Sequence, residues 1–200
     1  MSTRREFIRT GAAVAALTAL DPARSDERGD SSLALYKVIL DSAFPSSAAF
    51  GRRASELGLA THASPSDVTS LWYHDLHPRW IQSAVAIAGL TSPESLFCLE
   101  RLAWDHSMRV LFRAFHRPVD SSSIEHVLTG PQSVVRALTS AYTTRDAWTD
   151  ATAEAFAGFP TAQGALTQRT LRVRGSGRGT TLGTPLVSWV IGPISKTTAA

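Results

Sequence analysis

Apolar and polar positions along this chain change their spacing several times, and each change marks a structural element. Tyr36-Lys37-Val38-Ile39-Leu40 is a β-branched run stopped by Asp41-Ser42, which predicts a strand. Phe44-Pro45-Ser46-Ser47 opens a helical stretch from Ala48 to Leu57, and Gly58 stands where a glycine ends a helix. Leu59–Ala63 predicts a second strand. Ser64-Pro65-Ser66-Asp67 offers capping oxygens ahead of a helix over Val68–Trp80. Ala84–Leu90 is apolar throughout, the pattern of a strand buried on both faces. Ser92 fits an N-cap, Pro93 the first helical position and Glu94 the positive end of the dipole, so a helix follows to about Trp104. Arg109–Phe115 predicts a fourth strand.

Strands alternating with helices over short links predict a parallel sheet covered by helices. The expected fold is a three-layer α/β domain, flavodoxin-like or Rossmann-like in general shape, with the strand order left open. Beyond it, Ser123–Thr139 reads as a helix broken at Gly130-Pro131, and Asp146–Phe156 as another helix. Leu171–Arg174 begins a strand and Leu186–Ile191 supplies a fifth strand to the sheet. Between them Gly175–Gly183 is a glycine-rich loop, and Ser195–Ala200 reads as a disordered tail. No internal repeat is visible.

The first twenty residues carry a different pattern. Thr3-Arg4-Arg5-Glu6-Phe7-Ile8-Arg9 precedes an uncharged, small-residue run, Gly11–Leu20. This resembles a bacterial twin-arginine export signal, with Arg4 and Arg5 as the pair and Phe7 at the apolar position after it. The resemblance implies delivery by the twin-arginine (Tat) translocase to the periplasm or outside the cell, in an already folded state. It raises the prospect of a redox or metal cofactor, or of an exported redox enzyme as partner. The chain then divides into a signal and polar linker at 1–32, one α/β domain at 33–194 and a tail at 195–200. No later segment has the ~20 apolar residues of a membrane helix, so the mature chain is expected to have no stable transmembrane span.

Charge and cysteine content narrow the picture a little. The formal net charge is +3, but no Asp or Glu follows Glu154, while Arg169, Arg172, Arg174, Arg178 and Lys196 do. A basic C-terminal segment suits an acidic partner or an anionic ligand, and an exported protein is not expected to meet nucleic acid. The single Cys98 excludes an intramolecular disulfide, so the fold must stand on its core.

In open α/β sheets, ligands bind beyond the carboxyl ends of the strands. That rule selects Asp41 and Ser42 after the first strand, Asp67 after the second, Thr91 and Ser92 after the third, and His116 ending the fourth. Asp105 and His106 fall at the opposite rim, as turn residues. Trp72-Tyr73-His74-Asp75-Leu76-His77-Pro78-Arg79-Trp80 is the oddest stretch. On a helix, His74 and His77 share a face and could hold a metal with His116 or Asp41. The same stretch also reads as an amphipathic helix that buries Trp72, Leu76 and Trp80, or as aromatic surface for a protein partner or a flat ring-shaped ligand. No dinucleotide fingerprint, P-loop or nucleophile elbow is present. The sequence therefore points to a binding protein or an accessory subunit of an exported redox enzyme. The alternative is an oxidoreductase or metal-dependent hydrolase built around Asp41, Thr91 and His116. The cofactor is not specified by any motif.

Overall fold

The computed structural model describes residues 32–64, 67–120, 122–143, 147–162, 164–174 and 183–194. Arg4, Arg5 and Phe7, read above as an export signal, the segment 195–200 read as a tail, and most of the glycine-rich stretch lie outside them. In chain order the elements are β1 (Leu35–Asp41), α1 (Pro45–Glu56), β2 (Thr61–Ser64) and α2 (Thr69–Leu71). A π-helical turn (Trp72–Leu76) joins α2 to α3 (His77–Gln82), and β3 (Ala86–Thr91) and α4 (Pro93–Trp104) follow. The chain continues through β4 (Met108–Asp120), β5 (Ser123–Pro131), α5 (Gln132–Ala141), α6 (Trp148–Ala157), β6 (Leu166–Arg174) and β7 (Leu186–Pro193).

The strands form one seven-stranded sheet in the order β2-β1-β3-β7-β4-β5-β6. β1 runs parallel to β2 and β3. Every other neighbouring pair is antiparallel. The parallel, flavodoxin-like or Rossmann-like sheet is therefore overturned: the fold is α/β, with a mixed sheet. Two features produce the change. β7 returns from the end of the chain and inserts, reversed, between β3 and β4. The segment from Ser123 to Pro131, expected to be helical, is instead a strand hairpinned onto β4, and the helix begins only at Gln132. Pro131 divides the two: it ends the strand and fixes φ at -55° just before the helix starts.

The hairpin turn has a visible chemical cause. The Asp120 carboxylate accepts from the Ser122 backbone N–H (2.8 Å), the Ser122 hydroxyl (2.8 Å) and the Ser123 hydroxyl (2.7 Å). An Asp side chain that captures the backbone two residues on is a turn former. These bonds, with Arg172 2.5 Å away, hold its pKa well below the usual carboxylate range. Gly130 completes the pairing, because a Cβ there would stand 2.7 Å from the Phe112 ring on β4.

Side-chain alternation splits the core across the sheet. Val38, Ala88, Leu90, Leu186 and Val190 face α1, α5 and α6, against Phe50, Leu138, Trp148 and Phe156. Ile39, Ile87, Val187, Trp189 and Ile191 face the other way, onto Trp72, Leu76, Trp80, Leu96 and Leu99. Central strands buried on both faces explain why β3 and β7 are nearly uninterrupted apolar runs. Each fully buried Leu, Ile, Val or Phe contributes roughly 1.5–3 kcal/mol of burial free energy. No helix among the described residues is long and apolar enough to cross a membrane.

Candidate functional site

β1 and β3 are parallel neighbours whose following helices leave to opposite faces of the sheet. α1 packs with the first core and α4 with the second. A crevice is expected where such connections diverge. Here the protein fills it with its own groups. The Ser47 hydroxyl, in the first turn of α1, accepts from the Asp41 backbone N–H (2.8 Å) and donates to the Leu90 carbonyl. It thereby stitches the carboxyl ends of β1 and β3 together. Asp41 is only 1% exposed, and its Oδ1 accepts from the Ala43 N–H at 3.0 Å. Thr91 accepts from the Trp189 indole N–H at 3.0 Å and donates to the Ser92 carbonyl at 3.0 Å. Ser92 caps α4 by accepting from the Ser95 N–H at 3.3 Å. Ser42 is exposed on the loop beyond β1. Asp41, Thr91 and Ser92 thus come together at this rim, each engaged by the protein itself.

The open space lies one step further out. A groove of about 480 Å³ runs between the α2–π segment and α4. Its floor is Val68, Trp72 and Leu102, and its walls carry Tyr73 and Phe97, which are 66% and 56% exposed. Asp67, Glu94 and the buried Ser95 line the end nearest the strands, while Arg101 lines the other. Glu94 and Arg101 are about two turns apart on α4, roughly 10 Å at 1.5 Å per residue. Just ahead of α2 the Asp67 carboxylate accepts from the Thr69 N–H at 2.8 Å, and hydrogen bonds from Thr69, side chain first and backbone second, hold its pKa below the usual range. Arg101 lies over the Trp104 ring, 4.2 Å from its centroid, and over the Phe97 ring at 5.2 Å. Cys98 is exposed beside Phe97.

The π turn shapes the aromatic wall. One extra residue per turn widens the helix and re-aims its side chains, and such turns recur at functional sites. Trp72 is pinned below by rings of Trp80 (5.8 Å), His106 (5.7 Å) and His77 (5.1 Å). Asp75 ties the turn to β1: it accepts from the Tyr36 hydroxyl at 2.6 Å and from Lys37. Burial works against the Asp75 carboxylate, yet the Lys37 and Tyr36 hydrogen bonds and the Lys37 charge outweigh it and lower its pKa. The wide turn also takes His74 out of step with His77. His77 is half-buried against Trp72 and His106, whereas His74 is exposed. Among the described residues no group of three His, Cys, Asp or Glu side chains converges as a metal site requires. Asp105 and His106 sit in the turn between α4 and β4.

His116 is on the other face of the sheet. It stands opposite His126 on β5, and their Nδ1 atoms are 2.7 Å apart. His116 Nε2 lies 2.8 Å from the Ser188 hydroxyl on β7, so Ser188, His116 and His126 form a polar row across three strands. The row is sealed: Trp148 covers His116 at 4.2 Å and Tyr142 covers His126 at 4.7 Å. Both imidazoles are fully buried. Burial, reinforced by the His126 charge, pushes the His116 pKa well below the ordinary imidazole value, and burial lowers His126 to about 4. At neutral pH both rings are uncharged, so one Nδ1 must donate and the other accept, and their tautomers are coupled. His126 Nε2 is buried with no hydrogen-bond partner among the described residues. His116 therefore does not meet Asp41 or Thr91, and the three do not form one site.

No protein family, curated protein or solved structure matches the chain. The site rests on its own geometry. Sequence reasoning singled out Asp67 and the Trp72–Trp80 stretch but passed over Phe97, Arg101 and Ser47. Phe97 had a signal, since Glu94, Phe97, Cys98 and Arg101 recur at helical spacing on one face. Ser47 had none, because its partner Leu90 is distant in sequence.

Proposed function

We propose that this chain is an exported α/β protein that binds a small, flat, ring-bearing molecule in the groove between the π turn and α4. One observation carries the reading: Tyr73 and Phe97 face an open groove of about 480 Å³ over a packed tryptophan floor. That size and lining match small-molecule sites, which are largely apolar with a few placed polar groups. Large rings left in water on both sides of one groove cost hydration free energy that a ring-bearing ligand recovers. Asp67, Glu94 and Ser95 offer hydrogen bonds at one end and Arg101 a positive charge at the other. The export part of the reading rests on Arg4, Arg5 and Phe7 alone.

The test is native mass spectrometry of protein recovered from the periplasm after its own export, followed by ligand-observed NMR with a library of ring-bearing compounds. A retained small molecule, or a compound whose binding is lost in Phe97→Ala, supports the reading. A bare polypeptide that no compound saturates sinks it. A second reading, an accessory subunit of an exported redox enzyme, is favoured by the exposed Phe97–Arg101–Trp104 strip of α4, since aromatic and Arg side chains dominate protein interfaces. It predicts that cross-linking in periplasmic extracts captures such an enzyme at Trp104.

A further inference from the structure

The β6 edge of the sheet holds a second concavity, of about 330 Å³, between α5 and β6. Gln132, Arg136, Thr139 and Ser140 enter it from α5, at the i, i+4, i+7, i+8 spacing of a single helix face. Thr167 and Arg169 enter from β6, two residues apart and so on the same face of the strand. The lining holds two guanidinium groups, three hydroxyls and an amide, and no carboxylate.

Four other arginines are neutralised across elements or strands: Arg53 by Glu154, Arg113 by Glu100, Arg117 by Glu125 and Arg172 by Asp120. Arg136 and Arg169 have no carboxylate partner among the described residues. No acid follows Glu154 in the chain, so nothing on β6 or later balances them. Two guanidinium groups lining one cleft repel each other, and an anion between them would relieve that repulsion. The guanidinium fork matches the oxygens of phosphate, and the neighbouring hydroxyls can donate to the remaining ones.

We propose that the cleft between α5 and β6 is a binding site for a phosphate-type oxyanion, separate from the aromatic groove. Arg136 and Arg169 would clamp it from the two sides, with Ser140, Thr167 and the Gln132 amide fixing its orientation. The shared chemistry admits a free phosphate compound or a lipid phosphate headgroup.

The experiment is a heteronuclear NMR titration of the full chain with inorganic phosphate and with phenyl phosphate, paired with sedimentation on phosphatidylglycerol vesicles. Saturable shifts centred on α5 and β6 are expected, weakened at least ~10-fold by Arg136→Gln or Arg169→Gln and far less by Arg136→Lys. Arg117→Gln, whose partner is Glu125 on another strand, should leave them unchanged. Vesicle binding lost in the same variants assigns the phosphate to a lipid; saturation by phosphate compounds without vesicle binding assigns it to a free molecule. Both side chains are exposed, so the variants should keep the parental melting temperature. Shifts that never saturate, or that persist in the Arg136→Gln/Arg169→Gln double variant, overturn the proposal.

Discussion

His116 and His126 meet through their Nδ1 atoms at 2.7 Å, in the middle of an apolar layer capped by Trp148 and Tyr142. Both rings stay neutral in the folded protein at pH values where an unfolded histidine is charged. Between about pH 6.5 and pH 4 the unfolded chain therefore binds more protons, and stability rises with pH across that window. Acidification should cost up to about 1.4 kcal/mol per pH unit for each histidine, and the dependence should vanish above pH 7. Urea unfolding at a series of pH values measures it. His126→Phe should roughly halve the slope, and an unchanged slope would show that the pair does not govern acid stability.

Gly89 lies under the Trp189 indole. A Cβ at that position would stand 2.6 Å from the ring and 2.6 Å from the Ile39 carbonyl, both closer than atoms pack. Gly89→Ala should destabilise the fold by about 1–3 kcal/mol through overpacking. Thr91→Val keeps the shape but strands the buried indole N–H, for a similar loss of about 1–3 kcal/mol. Thermal and denaturant melts read both, and a neutral Gly89→Ala would mean that the β1–β3–β7 contact yields more easily than its geometry indicates.

Ser47 links two strands with one hydroxyl, so its removal acts on both. Ser47→Ala leaves the Leu90 carbonyl and the Asp41 N–H without this partner, and about 1–3 kcal/mol should be lost. Hydrogen exchange should then quicken at Leu90 and Asp41 before it does at β5. Uniform acceleration over the whole sheet would argue against a local stitch.

Binding and stability should separate along the groove. Tyr73 and Phe97 are exposed, so Tyr73→Ala and Phe97→Ala should change stability by no more than about 0.5 kcal/mol while weakening ring-bearing ligands. Trp72, buried beneath them, should cost about 3–5 kcal/mol on truncation to alanine. If Tyr73→Ala instead lowered the melting point sharply, the wall would belong to the core.

How far the sequence speaks depends on the range over which each signal acts. Caps and local periodicity were legible: Ser92-Pro93-Glu94 starts α4 as expected, and Trp72, Leu76 and Trp80 are buried. Strand direction was not, because nothing local to Leu186–Ile191 says that it returns between β3 and β4. The Ser123–Pro131 error has a narrower cause. Ile124, His126 and Leu128 alternate inward, but a histidine counts as polar unless it has a buried partner, and here that partner is His116 on the opposite strand. The π turn was equally hidden, since its extra residue follows from Trp72 and Leu76 seating together in the second core and from Asp75 reaching β1.

The position of β7 bears on how the protein is made. Within the sheet, β7 hydrogen-bonds the β2-β1-β3 group to the β4-β5-β6 group, and its Trp189 bonds to Thr91, 98 positions earlier. Without β7, β3 and β4 would each present an unpaired edge, and the core shared by α1 and α6, where Phe50 meets Phe156, would be left to hold the two groups together. Folding then waits on a long-range closure, the kind that makes a chain slow and prone to aggregate on the way.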